Sequence, residues 1–230
     1  MVFLGLDSAR ACATSNRMHS RRVPTHYPFQ FLLLNLLQVV VENWSMSRRQ
    51  LLQHKANADA LPKVTGAAAV LAGSCSAATL GQITAFRGPH LALDTDAICR
   101  GEPVGEKALT WARDKLGNGP ILLSASDKPD AVKALQAKYG IEKSSRAIES
   151  TMATLAKGLV AAGVGRLVVA GGETSGAVVG ALDVTALRIG PEIDPGVPWT
   201  ASVGTKPLLL ALKSGNFGAP DFFTKAFDKS

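Results

Sequence analysis

From Val64 onward, short apolar runs alternate with segments whose apolar residues recur every three or four positions. Ala67 to Ala72 predicts a buried strand, and Ser76 then caps a helix carrying Leu80 and Ile83 on one apolar face. Leu91 to Leu93 predicts a short strand. Glu102 to Leu116 predicts a helix, with Val104, Ala108, Trp111 and Ala112 at i, i+4, i+7 and i+8. Ile121 to Leu123 returns as a strand. A helix from Pro129 to Tyr139 ends at Gly140, and a longer one from Ser144 to Ala162 carries Ile148, Met152, Leu155 and Leu159 as its buried stripe. Arg166 to Ala170 is a clear strand, Thr174 to Leu182 a short helix, and Ala186 to Ile189 and Leu208 to Leu212 two further strands. Between them, Arg188 to Trp199 is so rich in turn formers that it predicts a long ordered loop. Strands and helices taking turns in this way predict an α/β fold: a layered sheet with flanking helices, forming one domain over residues 64–230.

Residues 1–63 follow no such alternation and are expected to form an irregular N-terminal extension. Arg10, Arg17, Arg21 and Arg22 stand against the single acid Asp7 before Pro28, a composition like that of a transit peptide. The apolar run Phe29 to Val41 is 13 residues long, whereas a membrane-spanning helix needs about 20. A docked amphipathic helix, an unnatural extension of the reading frame and a targeting segment all fit this stretch.

The charge distribution bears on partners. The chain has 230 residues and a net charge of +7, but residues 1–63 hold 8 basic and 3 acidic side chains, leaving 17 and 15 for the remainder. The body is therefore nearly neutral and shows no Lys/Arg stripe interleaved with aromatics, which argues against nucleic acid as a partner. Cys12, Cys75 and Cys99 are too far apart for a disulfide framework or a CxxC clamp, and His19, His26, His54 and His90 show no zinc spacing. A reduced, cytoplasmic protein without a bound structural metal is the expectation.

Three strand ends are rich in Gly, Ser and Thr: Gly73 to Thr79, Gly171 to Gly176, and Lys213 to Gly218. In an open α/β sheet ligands collect outside the carboxyl ends of strands, and such loops bring amide donors close to a phosphate. One helix N-terminus supplies only about 0.3–1 kcal/mol toward an anion. Millimolar to micromolar binding needs roughly 4–8 kcal/mol, so the loops have to converge. No P-loop string and no G-x-G-x-x-G after a strand is present. Lys213 is read either as a phosphate contact or as a surface lysine at a strand end. Glu192 and Asp194 are read either as water-mediated Mg²⁺ ligands or as solvated acids.

Taken together, the strings Ala72 to Thr79, Val168 to Gly176, Gly190 to Trp199 and Leu212 to Gly218, followed by Pro220-Asp221-Phe222-Phe223, closely resemble the C-terminal half of the four-carbon acid-sugar kinase family, in order over residues 66–228. The resemblance implies an ATP-binding domain in which Ser74, Gly171, Gly172, Glu173, Thr174 and Gly215 contact the nucleotide. Ser74 is preferred to Ser76 because Ser76 is needed as a helix cap. It also implies transfer of the γ-phosphoryl group of ATP, with Mg²⁺, to the 4-hydroxyl of a 3-oxo-tetronate. In that family a larger N-terminal domain binds the acid sugar through an Asp-Asp-x-Thr-Gly-Ala type motif, and no such string occurs here. The chain is thus expected to be a nucleotide-binding half whose catalytic base and substrate domain come from elsewhere, or else a non-catalytic remnant that keeps the fold.

Overall fold

A computed structural model of the chain describes Val2–Phe3 and residues 61–228. The extension expected over residues 1–63 thus lies almost wholly outside the described residues. The strands are β1 (Val2–Phe3), β2 (Ala67–Ala72), β3 (His90–Ala92), β4 (Ile121–Ser124), β5 (Val164–Ala170), β6 (Ala186–Asp194), β7 (Val197–Ser202) and β8 (Leu209–Lys213). The helices are α1 (Ala77–Ala85), α2 (Thr95–Cys99), α3 (Val104–Lys115), α4 (Pro129–Tyr139), α5 (Ile141–Ala161), α6 (Gly172–Ala181) and α7 (Phe222–Asp228). One mixed sheet runs β1-β6-β7-β8-β5-β2-β4-β3. Its centre, β8-β5-β2-β4-β3, is parallel, while β6, β7 and β8 are joined antiparallel.

The central strands are apolar on both faces because helices cover both. Ala69 and Leu71 of β2, with Leu167 and Val169 of β5, pack under α3, α5 and α6, where Met152, Leu155, Leu159 and Val178 are fully buried. Val70, Ala72, Val168 and Ala170 point the other way, into a cluster closed by Phe222 and Phe223 of α7 and by Trp199. The side-chain period of two makes this division. Ile148, expected in the α5 stripe, is only partly buried.

The segment 188–199, expected to be a loop, is a β-hairpin. Its turn is Pro195-Gly196, with Gly196 at φ +79°, and Val197, Trp199 and Ala201 alternate into the core. The register shifts between Ile189 and Glu192, where Pro191 has no N–H to give the ladder. The indole Nε1 of Trp199 donates to the Ala226 carbonyl at 3.0 Å, fixing α7 across the hairpin. The short helices α2 and α7 carry no apolar period long enough to announce them in the sequence.

The chain leaves β2 for α1 on one face and leaves β5 for α6 on the other. The carboxyl ends of these neighbouring parallel strands therefore open a crevice at the point where the strand order reverses.

Candidate functional site

The first two glycine turns meet in that crevice, and the third lies directly behind the first. The amides of Gly73 and Ser74 both donate to the Ala170 carbonyl, at 2.9 and 3.1 Å, so the first turn rests on the end of β5. The amide of Gly171 donates to the Lys213 carbonyl at 2.9 Å, which seats the second turn on the end of β8. A Cβ on Gly73 would lie 2.2 Å from Thr174 Oγ1, and one on Gly215 would lie 2.2 Å from Ser74 Oγ. Gly171 has φ +125°, which L side chains rarely adopt, and a Cβ there would come within 3.2 Å of the Ser74 amide. Close approach of the three turns accounts for Gly73, Gly171 and Gly215.

Ser76 caps α1 as expected: its Oγ accepts from the Thr79 amide at 3.2 Å. It also donates to the Gly215 carbonyl at 2.6 Å, while its own amide donates to Ser74 Oγ at 3.3 Å. One serine therefore starts the helix and ties the third turn to the first. Ser76→Ala is expected to cost about 1 kcal/mol for the cap, and to lower the unfolding midpoint by about 2–4 °C in a thermal melt.

The face of α1 turned inward differs from the one expected. Leu80 and Ile83 are only partly buried, whereas Thr79 and Gln82 are fully buried. Thr79 Oγ1 donates to the Gly215 carbonyl at 2.9 Å. Gln82 Nε2 lies 3.0, 2.9 and 3.0 Å from the carbonyls of Phe217, Gly218 and Ala219. Backbone carbonyls of the third turn need donors, and only polar side chains supply them.

A cavity of about 390 Å³ occupies the crevice, lined by Gly73, Ser74, Gly171, Gly172, Glu173 and Thr174. Five of the six residues singled out in the sequence, Ser74 and Gly171 to Thr174, are thus brought together on its wall. Gly215 stands behind Ser74 and does not line it. The amides also differ from expectation, since those of Gly73, Ser74 and Gly171 are engaged by carbonyls. Those of Gly172, Glu173 and Thr174, in the first turn of α6, have no intrahelical acceptor.

The far wall, from α4 and α5, went unread in the sequence. Val132, Leu135 and Ile148 make an apolar slot, with Gln136 and Ser145 at its edge. Asp127, Glu149 and Glu173 also line the cavity, and among the described residues no lysine or arginine does. The Glu149 carboxyl is held above the usual range by burial and, secondarily, by the negative charge of Glu173.

Lys213 is neither at the surface nor in the cavity wall. It is 1% exposed, and its Nζ donates to Thr79 Oγ1 at 3.1 Å and to the carbonyls of Ser214 and Gly215 at 3.3 and 3.2 Å. Burial pushes its amine down to about 8. Asp194, 5% exposed, is likewise committed: it accepts from the Ala219 amide at 2.8 Å and pairs with Lys225. Glu192 accepts from the Gly196 amide at 3.2 Å. Both acids therefore brace the hairpin, away from the cavity. Among the described residues no helix is long and apolar enough to cross a membrane.

Fold and site together define an α/β domain with helices on both faces of its sheet and a glycine-lined crevice at the switch point. The chain belongs to the nucleotide-binding C-terminal domain family, which matches residues 69–223. It is 55% identical over 172 residues to the 3-oxo-tetronate kinase of Burkholderia multivorans, covering 74% of this chain and 40% of that protein. It is 51% identical over 183 residues to the enzyme of the same name from Cupriavidus necator, covering 78% of this chain and 42% of that protein. Among solved structures, a Haemophilus influenzae protein superposes with a TM-score of 0.69 at 40% identity, covering 73% of this chain and 41% of that one. The chain spans about two fifths of the length of these relatives.

Proposed function

We propose that the chain is the ATP-binding part of a sugar-acid kinase, one that transfers the γ-phosphoryl group of ATP to the 4-hydroxyl of a 3-oxo-tetronate. Residues 64–230 form the nucleotide domain in this reading, and residues 1–63 are an extension of it. The observation that carries the reading is the meeting of the Gly73–Ser76 and Gly171–Thr174 turns over one cavity, with Gly215 locked behind Ser74. The free amides of α6 and the hydroxyls of Ser74 and Thr174 face the phosphates, and Val132, Leu135 and Ile148 pack against the base.

The donor set suits Mg²⁺ that arrives with the nucleotide. Mg²⁺ typically uses one or two carboxylates, several waters and the phosphates themselves, and Asp127 and Glu173 are within the same cavity. A lining of acids without a basic side chain disfavours a bare triphosphate. Asp127 and Glu173 would hold the ion, directly or through water, and it would supply neutralisation of the phosphate charge. The chain's own residues position and desolvate the nucleotide, while the acid sugar that carries the acceptor hydroxyl, and the base that takes its proton, are held outside residues 64–230.

Calorimetry of Mg-ATP with the purified chain tests the first half, and micromolar to millimolar binding is expected. A coupled assay with ATP and 3-oxo-tetronate tests the second. Turnover is expected only when an acid-sugar domain from a relative is added. Binding without turnover in the mixture favours the alternative reading, a non-catalytic protein that keeps the fold and binds nucleotide. Absence of nucleotide binding overturns both.

A further inference from the structure

We propose that Lys213 is a positioning residue for the nucleotide: its buried ammonium pins the Gly215 carbonyl behind Ser74 and holds a positive charge beneath the phosphate mouth. The inference rests on the nucleotide reading above and adds a residue that does not touch the ligand.

Three observations carry it. Lys213 Nζ, Thr79 Oγ1 and Ser76 Oγ all donate to the Gly215 carbonyl, at 3.2, 2.9 and 2.6 Å. The Ser76 amide donates to Ser74 Oγ, so one connected network runs from the ammonium to the cavity wall. Second, Lys213 has no ion pair among the described residues, although an uncompensated buried charge is costly. The Phe223 ring, 5.9 Å from Nζ, is a weak substitute for a carboxylate. A polyanion seated above Ser74 supplies the missing compensation. Third, among the described residues no element around Lys213 pairs a carboxylate with it. The helix α1 and strands β2 and β7 contain no ionisable residue. Arg166 of β5 pairs in register with Leu209, four residues from Lys213 along β8. On the α7 side, Lys225 pairs with Asp194 of β6, leaving Asp221 and Asp228 at the two ends of that helix.

Burial places the Lys213 amine at about 8, so near that pH it is partly neutral in the free protein. An arriving polyanion favours the charged form. The neutral amine then takes a proton from the buffer, forming one N–H bond and leaving the buffer as its conjugate base. The phosphates of ATP, which ionise near pH 6, are already deprotonated there.

The experiment is calorimetry of the full chain with Mg-ATP from pH 7 to 10, in two buffers of different ionisation enthalpy, beside Lys213→Met. In the wild type we expect affinity to fall as pH rises past about 8, and buffer-dependent heats at pH 8.5 that report proton uptake. Lys213→Met is expected to bind about tenfold more weakly at pH 7, to show a flat pH profile and no uptake, and to unfold no earlier than wild type. Wild-type affinity and an unchanged pH profile in the variant overturn the inference while sparing the nucleotide reading. If the variant does not fold, identical heats in both buffers for the wild type at pH 8.5 overturn it alone. No binding by folded wild-type chain at any pH sinks the nucleotide reading, and this inference with it.

Discussion

Gly172→Asp is expected to abolish measurable Mg-ATP binding while leaving the chain at least as stable as wild type. Gly172 is the first residue of α6, and nothing lies within 4 Å of a Cβ built there. The added carboxylate at a helix N-terminus contributes about 0.3–1 kcal/mol to stability. Toward a phosphate about 4 Å away, the same charge costs about 4 kcal/mol at an effective dielectric of 20. That corresponds to roughly a thousandfold loss of affinity, in a cavity already lined by Asp127, Glu149 and Glu173. Calorimetry and a thermal melt on the same preparation separate the two effects. Undiminished binding would place the phosphates away from α6 and remove the main support for the proposed cradle.

Gln82→Glu is expected to give the largest stability loss of any isosteric change in the site. Gln82 is 1% exposed, and its amide nitrogen faces three carbonyls of the third turn. An ionised carboxylate there would lose those donors and add repulsion, a loss of about 3–5 kcal/mol at pH 7. For a domain of this size that is a fall of roughly 6–20 °C in the unfolding midpoint. The substituted carboxyl folds more readily protonated, so its pKa is raised in the native state. Native protein then binds more protons than unfolded, and the variant regains stability as pH falls toward the usual carboxylate range. A melt at pH 5 that recovers no stability relative to wild type would show that the third turn does not depend on this amide.

Local patterns in the sequence foretold most of the elements because each pattern is set by neighbours along the chain. The run Ala67–Ala72, the stop at Gly140, the Met152, Leu155 and Leu159 stripe and the Ser76 cap all stand as read. The hairpin β6–β7 was hidden by its own turn formers. Gly190, Pro191, Pro195 and Gly196 dominate the segment, yet the alternation of Val197, Trp199 and Ala201 was already a strand signal. The inner face of α1 departs from its local pattern for a different reason. Hydrophobicity alone favours burying Leu80 and Ile83, but the carbonyls of the third turn, more than a hundred residues away along the chain, need the donors that Thr79 and Gln82 supply.

By itself the amino-acid sequence determined the α/β class, the three glycine turns and the family, since periodicity, capping and short strings are properties of contiguous residues. Only the tertiary structure decided that two turns share one cavity with the third behind them, that α4 and α5 supply its apolar wall, and that Asp194 and Lys213 face inward. Those outcomes depend on strand order. Placing β2 beside β5, with β8 next, brings residues 73, 171 and 215 together, and no local pattern encodes which strands become neighbours.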